Sequence, residues 1–487
     1  MKQIYFLTSQ LAGVLLIALL LMPATLQAQE KVPITTSSEE AKMLYMEGRD
    51  QMEAFHFSKS AETLEKAIEK DPDFAMGHML LAMAKGRGME YDREHLDKAV
   101  ELSGNVSEGE KNLIHLAKAF QDGDEEGLEK YSDALLDQYP EDERVLLWAG
   151  ISYYTLEDYD HARKYLEKAT QVNPNYHAAY NMLGYTLMEQ RDMLQAEKAF
   201  NKYLELLPEN ANAHDSYADF LKREGRFDES TAHFKKALEI DPTYVASQKG
   251  LADNYVFTGD FKKAREHYRH YYKENNNASI KFNGLLYEAS VDLHEDNPEQ
   301  ALKVMDKYIE MADEMKMPYY HINGMAYKGY ILTETGNPEE GLKQYRKTMD
   351  MIETADLTEK EREQMKTSGC LWEFYALLHN GDMTAAADEA QGNCYSRLTN
   401  YGSASDWKTF YRLSGIMEIQ RGNYEQARDF FTDAWNDPTT WYYTGLSWQK
   451  EGDPDKARKY YQKVTQHYDN NLSLGAIRNK AVAGLKE

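Results

Sequence analysis

The sequence predicts an all-α fold in which short amphipathic helices follow one another as an α-solenoid. Prolines recur every 34 residues, at Pro140, Pro174, Pro208 and Pro242, and Pro72 lies two such steps before the first of them. A 34-residue period is that of a two-helix hairpin repeat, and a proline at its end stops the second helix from running into the next unit. No long alternating run rich in Val, Ile or Thr occurs, so strands are not expected.

Small and bulky residues keep the same period. Small side chains are needed where the two helices of a hairpin cross, because the backbones approach closely there. On the first helices these small residues are Gly150, Gly184, Ala218 and Ala252, and on the second helices they are Ala162, Ala196, Ser230 and Ala264. The bulky residues that face them on the second helices are Leu166, Phe200, Phe234 and Tyr268. Glycines at 225, 259 and 422 are expected to end helices in the left-handed conformation.

The stretch Tyr180–Tyr185, followed by Ala196–Phe200 and Pro208, resembles the tetratricopeptide repeat family. The resemblance is strong from about residue 143 to 275, and it implies a right-handed α-solenoid of helix-turn-helix units. It also implies that the first helices line a concave wall, along which extended peptides or a helix bind.

The repeat pattern divides the chain into four parts. We predict a signal peptide at 1–28, a linker at 29–40, an N-terminal repeat array at 41–275 that diverges over 75–142, and divergent helical repeats with a capping helix at 276–487. In the last part the small positions Ala301, Gly341, Ala386, Ala427 and Ala457 are separated by 40, 45, 41 and 30 residues, which indicates that helices or loops have changed length.

The first 28 residues are typical of a secretory signal peptide. Lys2 precedes an apolar run over residues 11–22, and the segment ends at Leu26-Gln27-Ala28, whose small final residue suits a cleavage site. No cysteine lies near residues 20 to 32, so a lipid anchor is not expected. We therefore expect a periplasmic or extracellular protein with no stable membrane span after cleavage.

The charge of the chain argues against a nucleic-acid partner. The formal net charge is −25, and it becomes −26 when Lys2 is lost with the signal peptide. Phosphate binding needs a basic stripe, and no such cluster of Lys and Arg occurs. The acidic surface either favours a basic or neutral partner or simply keeps the chain in solution.

The two cysteines, Cys370 and Cys394, form a candidate disulfide. If Ala386 is the small residue of its repeat, Cys370 lies near the start of the first helix and Cys394 near the end of the second. These places are adjacent in an antiparallel hairpin, and an exported protein meets oxidising conditions. Two buried thiols are the alternative.

Motifs of catalytic chemistry are missing from the sequence. It contains no His-Glu-x-x-His, Walker loop, Gly-x-Ser-x-Gly or Cys-x-x-Cys, so we expect no catalytic residues, no metal and no cofactor. His267 and His270 share a helix face, but their tyrosine neighbours are more typical of packing than of metal binding.

The candidate binding residues are those that the resemblance places on the concave wall: Tyr154, Asn181, Tyr185, Asp215, Asp219, Lys249 and Asp253. Asn and Asp side chains can bond a peptide main chain, and Tyr offers stacking area at small entropic cost. The other interpretation is a solvated inner face. A terminal carboxylate is not expected as the ligand, because three of these residues are acidic.

Three functions remain open from the sequence. The first is a non-enzymatic interaction scaffold of the cell envelope that binds a protein or peptide client in the groove. The second is a carbohydrate-binding or nutrient-binding accessory of an outer-membrane uptake system, which the aromatic content, including Trp407, Trp435, Trp441 and Trp448, would suit. The third is an enzyme hidden in residues 276–487. The sequence does not name the client or the oligomeric state.

Overall fold

The structure is a computed structural model that describes residues 31–86, 91–273, 275, 277–380 and 385–486. These residues form 25 α-helices in tandem, with one short 3-10 helix and no strand among them, so the predicted all-α fold of tandem helical repeats is confirmed. The predicted signal peptide lies outside the described residues. By its contacts the chain divides into two compact units, unit 1 up to residue 216 and unit 2 from residue 217. The predicted boundary at 275 separates regular from divergent repeats rather than two compact units, and it stays a prediction.

Unit 1 consists of five helical hairpins and the start of a sixth. Its helices are α1 Glu39–Glu53, α2 Phe57–Lys70, α3 Ala75–Lys85, α4 Arg93–Leu102, α5 Glu108–Asp122, α6 Glu125–Gln138, α7 Glu143–Thr155, α8 Tyr159–Val172, α9 His177–Glu189 and α10 Met193–Leu206. The division between the units falls inside α11, Ala211–Arg223.

Unit 2 continues with the same alternation of first and second helices. Its helices are α12 Phe227–Ile240, α13 Val245–Phe257, α14 Phe261–Lys273, α15 Ala278–His294, α16 Pro298–Glu314, α17 Pro318–Glu334, α18 Pro338–Thr354, α19 Glu359–His379, α20 Ala385–Tyr401, α21 Ala404–Arg421, α22 Tyr424–Asp433, α23 Pro438–Glu451, α24 Pro454–Thr465 and α25 Leu472–Gly484.

The glycines on first helices allow close crossing, as their period predicts. A Cβ at Gly150 would lie 2.5 Å from Leu166 Cγ, and a Cβ at Gly184 would lie 2.7 Å from the Phe200 ring. Both bulky partners are fully buried. The predicted left-handed glycines are also confirmed, with φ of +74° at 225, +81° at 259 and +82° at 422.

The lengthened intervals after residue 275 have a physical cause in longer helices. Helices α7 to α14 have 13 or 14 residues, whereas α15 to α18 have 17 each and α19 has 21. One extra turn per helix lengthens each unit. The small position predicted at Ala386 is wrong by one residue, because Ala386 is exposed and Ala387 is buried.

The terminal helix α25 does more than cover the last repeat. It packs against α23 and α24, which precede it, and also against α15 and α17, which lie much earlier in unit 2. The C-terminal part of the chain therefore lies against first helices of its own unit.

Candidate functional site

The first helices α1, α3, α5, α7 and α9 share one face of unit 1, which we call the unit 1 wall. Of the four wall residues predicted in this unit, Asn181 and Asp215 are buried, and Tyr154 and Tyr185 are half-buried. The tyrosine rings pack within their own hairpins: the ring centroid of Tyr154 is 5.5 Å from that of Tyr159, and Tyr185 is 5.1 Å from Phe200. Asn181 is the predicted residue that lines an open space.

That space is a cavity of about 340 Å³, which we call the unit 1 cavity. Its lining is mainly apolar and comes from α1, α3, α5, α7 and α9. It includes Met52, Met83, Phe120, Trp148, Ile151 and Met182. Methionine side chains are flexible and polarisable, so such a lining adapts to apolar groups of different shape.

Asn181 supplies an unsatisfied hydrogen-bond acceptor at this cavity. Its side chain is 3% exposed, and its Nδ2 donates to Asn212 Oδ1 at 3.4 Å. Its Oδ1 is buried and has no hydrogen-bond partner within the described residues. A buried acceptor without a partner costs about 1–3 kcal/mol, so a ligand that brings an N–H or O–H group to Asn181 would remove this cost.

A buried carboxylate borders the same cavity. Glu53 accepts from Arg144 Nε at 3.0 Å and from the Tyr176 hydroxyl at 3.1 Å. Burial raises the pKa of Glu53, although the Arg144 guanidinium opposes this shift. The three side chains join the end of α1 to α7 and to the residue before α9, and so fix one edge of the unit 1 wall.

The unit 1 wall already holds one extended segment, residues 31–37, which belongs to the predicted linker. Three main-chain N–H groups of this segment donate to carboxylates. The bonds run from Val32 N to Asp142 Oδ2 at 2.8 Å, from Thr35 N to Glu110 Oε1 at 2.6 Å and from Ser37 N to Asp71 Oδ2 at 2.7 Å. Residues 31–34 also line a second cavity of about 320 Å³ that shares Met52, Glu53 and Trp148 with the unit 1 cavity. The wall therefore binds extended main chain through acidic side chains.

In unit 2 the predicted wall residues Asp219, Lys249 and Asp253 form a cluster of charges with Lys222. Lys222 Nζ lies 3.0 Å from Asp219 Oδ1 and 3.3 Å from Asp253 Oδ2, and Lys249 Nζ lies 2.9 Å from Asp253 Oδ2. The cluster also receives Asp469, whose Oδ1 is 2.6 Å from Lys249 Nζ. Lys222, which the sequence reasoning missed, adds a cation to this wall, and the Asp469 side chain binds beside it. The expectation that a terminal carboxylate is not the ligand stays a prediction.

The charges in this cluster stabilise one another. Burial raises the pKa of Asp219, but Lys222 and Arg223 outweigh it and hold that pKa below its usual value. Burial likewise raises the pKa of Asp469, yet Lys249 and Lys222 bring it well below the usual range. Asp219 and Asp469 are thus ionised at neutral pH, and the cluster forms a polar anchor for the segment around residue 469.

The neighbouring side chain, Asn470, is fully buried and is bonded at both ends. Its Oδ1 accepts from Ser290 Oγ at 2.8 Å and lies 3.1 Å from His294 Nε2. Its Nδ2 donates to the Tyr268 hydroxyl at 3.0 Å and to the Tyr287 carbonyl at 3.3 Å. The Tyr268 hydroxyl in turn donates to Asp253. Residues 467–471, the C-terminal segment, therefore occupy the surface of unit 2 where a client was expected.

An aromatic contact continues this arrangement. The Tyr468 ring packs edge-on against Phe227 at 4.9 Å and Phe257 at 5.3 Å between centroids. The Arg478 guanidinium of α25 lies 5.0 Å from the Phe257 centroid. The predicted wall residues of unit 2 are thus engaged by their own chain.

Cys370 and Cys394 lie in one apolar core of unit 2 and are free thiols in this structure. Cys370 is a hydrogen-bond partner of Cys394, and this contact together with burial raises the pKa of the Cys394 thiol. Both lie in the middle of their helices rather than near the ends, because α19 begins as early as Glu359 and α20 continues to Tyr401. The predicted positions within the helices are wrong, the predicted adjacency is observed, and the disulfide itself stays a prediction.

The histidine pair noted in the sequence, His267 and His270, lies on α14. His267 stacks on Tyr255 with 5.2 Å between ring centroids. In the part of the chain that the structure describes, no group of three or more His, Cys, Asp or Glu side chains is placed to hold a metal ion. Among the same residues, no helix has the length and apolarity needed to cross a bilayer.

Comparison with known proteins identifies the repeats. Residues 125–177, 149–211, 209–273 and 438–471 match tetratricopeptide repeat families. The chain therefore carries tetratricopeptide repeats, and the resemblance seen in the sequence is confirmed for these residues. The fold and these matches together define a tandem-helical repeat protein.

Relatives of known function align only in part. The peroxisomal targeting signal receptor of Saccharomyces cerevisiae is 28% identical over 109 residues, which are 22% of this chain and 18% of that one. The antiviral innate immune response effector IFIT1 of Macaca fascicularis is 25% identical over 221 residues, 43% of each chain. The human protein O-mannosyl-transferase TMTC1 is 33% identical over 66 residues, 14% of this chain and 8% of that one. The aligned segments thus span between 8% and 43% of these curated relatives.

Solved structures with partial likeness are also tetratricopeptide repeat proteins. One from Parabacteroides merdae is 17% identical with a TM-score of 0.36, and the alignment covers 55% of this chain and 92% of that one. A thermophilic one from Thermus thermophilus is 16% identical with a TM-score of 0.33, over 36% of this chain and 96% of that one.

Proposed function

We propose that the protein is a non-enzymatic interaction scaffold of the cell envelope, and that it binds an extended client on the unit 1 wall. The observation that carries this proposal is the unit 1 cavity with the unsatisfied Asn181 oxygen beside it. A large apolar side chain of the client enters the cavity, and a client N–H group donates to Asn181 Oδ1. Tetratricopeptide repeats, which this chain carries, typically serve such interactions.

The chain's own segments support this mode of binding. Residues 31–37 lie on the unit 1 wall through main-chain bonds to carboxylates, and residues 467–471 lie on unit 2 through Lys249 and the partners of Asn470. In unit 2 the wall residues are used internally, whereas in unit 1 an apolar cavity and an acceptor remain for another molecule. We therefore assign the client to unit 1.

The envelope location rests on the predicted signal peptide. Cell fractionation and N-terminal sequencing test it directly. A mature chain that begins near residue 29 in the periplasm or the medium supports the proposal, and a full-length chain in the cytoplasm contradicts it.

Affinity capture from an envelope extract tests the client site. The test variant is Thr155→Trp, because Thr155 is exposed at the end of α7, lines the unit 1 cavity and would fill it with an indole. The matched control is Thr258→Trp at the end of α13. Thr258 is also exposed, and like Thr155 it donates to the carbonyl four residues earlier, at 2.8 Å and 3.0 Å respectively.

We expect the parent and Thr258→Trp to retain the same polypeptide and Thr155→Trp to lose it. Circular dichroism of all three proteins establishes that they are folded. Equal retention by Thr155→Trp, or retention by none of them, would show that the unit 1 cavity is not the client site.

A further inference from the structure

A separate cavity of about 370 Å³ lies in unit 2, between α17, α18, α19, α21, α23 and the start of α25. Five aromatic residues line it: Tyr327, Tyr330, Tyr345, Trp372 and Tyr375. Its volume is within the range of small-molecule sites, which runs from roughly 300 to 1,000 Å³. Neither the client site of unit 1 nor the C-terminal segment at residues 467–471 uses this space.

The aromatic rings are held in fixed pairs. Tyr330 stacks on Tyr375 with 5.7 Å between centroids and 17° between planes, and Tyr345 stacks on Trp372 with 6.1 Å and 22°. The Tyr375 hydroxyl donates to the buried carboxylate of Glu334, which fixes that ring further. Rigid ring faces suit a flat apolar surface of a ligand, because little side-chain entropy is lost on contact.

Neutral hydrogen-bonding groups line the remainder of the cavity, among them Asn323, Ser368, Thr409 and Ser473. The Tyr330 hydroxyl is shielded from solvent, and although Ser473 lies near it, no described group meets hydrogen-bond geometry with it. Hydroxyl groups of a ligand would satisfy donors and acceptors of this kind.

The charged groups at the cavity already have hydrogen-bond partners. Arg412 Nη1 donates to Asp437 Oδ2 at 2.7 Å. Asp406 Oδ2 accepts from Ser403 N at 3.0 Å and from Ser403 Oγ at 2.6 Å, which caps α21. Arg412 is thus paired with a carboxylate, and Asp406 is hydrogen-bonded at a helix start, so the lining favours a neutral ligand.

We propose that this cavity binds a neutral, hydroxyl-rich ring compound, of which a mono- or disaccharide is the chemical class. The apolar face of a sugar ring lies on an aromatic face of the lining, and its hydroxyls bond the Asn, Ser, Thr and Tyr groups. This activity is additional to client binding and lies in the other unit, so each can fail without the other.

Isothermal titration calorimetry of the exported chain with neutral disaccharides tests the proposal. The panel consists of maltose, cellobiose, chitobiose, xylobiose and mannobiose, with digalacturonate as the anionic comparison. The test variant is Thr409→Trp, which would fill the cavity, and the control is Thr399→Trp on α20. Thr409 donates to the carbonyl four residues earlier at 3.1 Å, and Thr399 does so at 2.9 Å, but Thr399 is exposed and does not line the cavity.

We expect at least one neutral disaccharide to bind the parent and Thr399→Trp alike, and to bind Thr409→Trp at least 10-fold more weakly. If Thr409→Trp does not fold, Asn323→Ala serves as a second variant, because it adds no bulk. Since it removes one hydrogen bond to the saccharide, it should weaken binding about 2- to 10-fold. The client-site variant Thr155→Trp should leave saccharide binding unchanged. Absence of neutral saccharide binding, binding of digalacturonate alone, or equal binding by the cavity variants overturns the proposal.

Discussion

Replacing Asn470 by alanine tests the attachment of the C-terminal segment to unit 2. The side chain is fully buried and takes part in four polar contacts of 2.8 to 3.3 Å, with Ser290, His294, Tyr268 and the Tyr287 carbonyl. In the variant, Ser290 keeps its bond to the Asn471 carbonyl and the Tyr268 hydroxyl keeps Asp253. The His294 Nε2 loses its contact with Asn470 and stays shielded from water, whereas the Tyr287 carbonyl keeps the hydrogen bond of its own helix, α15.

One buried group without a partner costs about 1–3 kcal/mol, so we expect a loss of about 1–3 kcal/mol in the free energy of unfolding of unit 2. For a unit of this size, that corresponds to a decrease in Tm of roughly 2–12 °C. Differential scanning calorimetry and urea unfolding monitored by circular dichroism measure the effect, and each unit is fitted as its own transition.

The control is Asn400→Ala, because Asn400 is exposed on α20 and its Nδ2 bonds only to the carbonyl of its own helix four residues earlier, at 3.0 Å. A surface change of this kind should stay within about 0.5 kcal/mol. If Asn470→Ala costs no more than Asn400→Ala, Asn470 does not anchor the segment and our interpretation of the unit 2 wall is wrong.

Three further predictions concern pH, packing and the cysteines. Burial lowers the pKa of His294 to about 4, whereas its unfolded value is about 6.5, so unit 2 should be fully stabilised by this group above pH 6.5 and lose up to about 3 kcal/mol as pH falls to 4. When unfolding is measured over this pH range, His294→Gln should remove this loss of stability. If the stability of the variant depends on pH as strongly as that of the parent, His294 is not the group responsible. Gly184→Ala should lower the free energy of unfolding by about 1–3 kcal/mol, because the new Cβ meets the Phe200 ring. In the control Gly392→Ala no atom lies within 4 Å of the new Cβ, so that change should be neutral or stabilise the protein by about 0.5–1 kcal/mol. Equal effects of the two changes in thermal unfolding would refute the close crossing of α9 and α10. If Cys370 and Cys394 form a disulfide, thiol titration of denatured, unreduced protein from the envelope should find no free thiol. The bond would then stabilise the protein by about 3 kcal/mol. Two free thiols would rule the bond out.

The sequence was sufficient for features that repeat at short range. Each hairpin places a small residue opposite a bulky one 16 residues later, as with Gly150 and Leu166, so the pairing is visible in the period. The left-handed glycines are visible for the same reason, since only the local conformation of the chain decides them. Helix lengthening after residue 275 was indicated only as a drift, because an extra turn changes the period without adding a motif.

The occupied walls could not be predicted from the period. The contact between Lys249 and Asp469 joins residues 220 positions apart, and the bond from Val32 to Asp142 spans 110. Such contacts involve irregular segments that carry no repeat signature. The 34-residue period was sufficient to place Lys249 and Asp253 on the wall, but it does not indicate which molecule they bind. Lys222 was missed because it lies one turn beyond Asp219, outside the positions that the repeat places on the wall.

Site-specific photo-cross-linking tests most directly the central claim that the unit 1 cavity receives a client. A benzophenone amino acid replaces Ile151, which is half-buried in the lining of the cavity, or the exposed Thr258 as a control, in the full chain expressed in its own host. We predict an adduct with one envelope polypeptide from position 151 and none from position 258. Absence of an adduct at position 151, or the same adducts from both positions, would contradict the account.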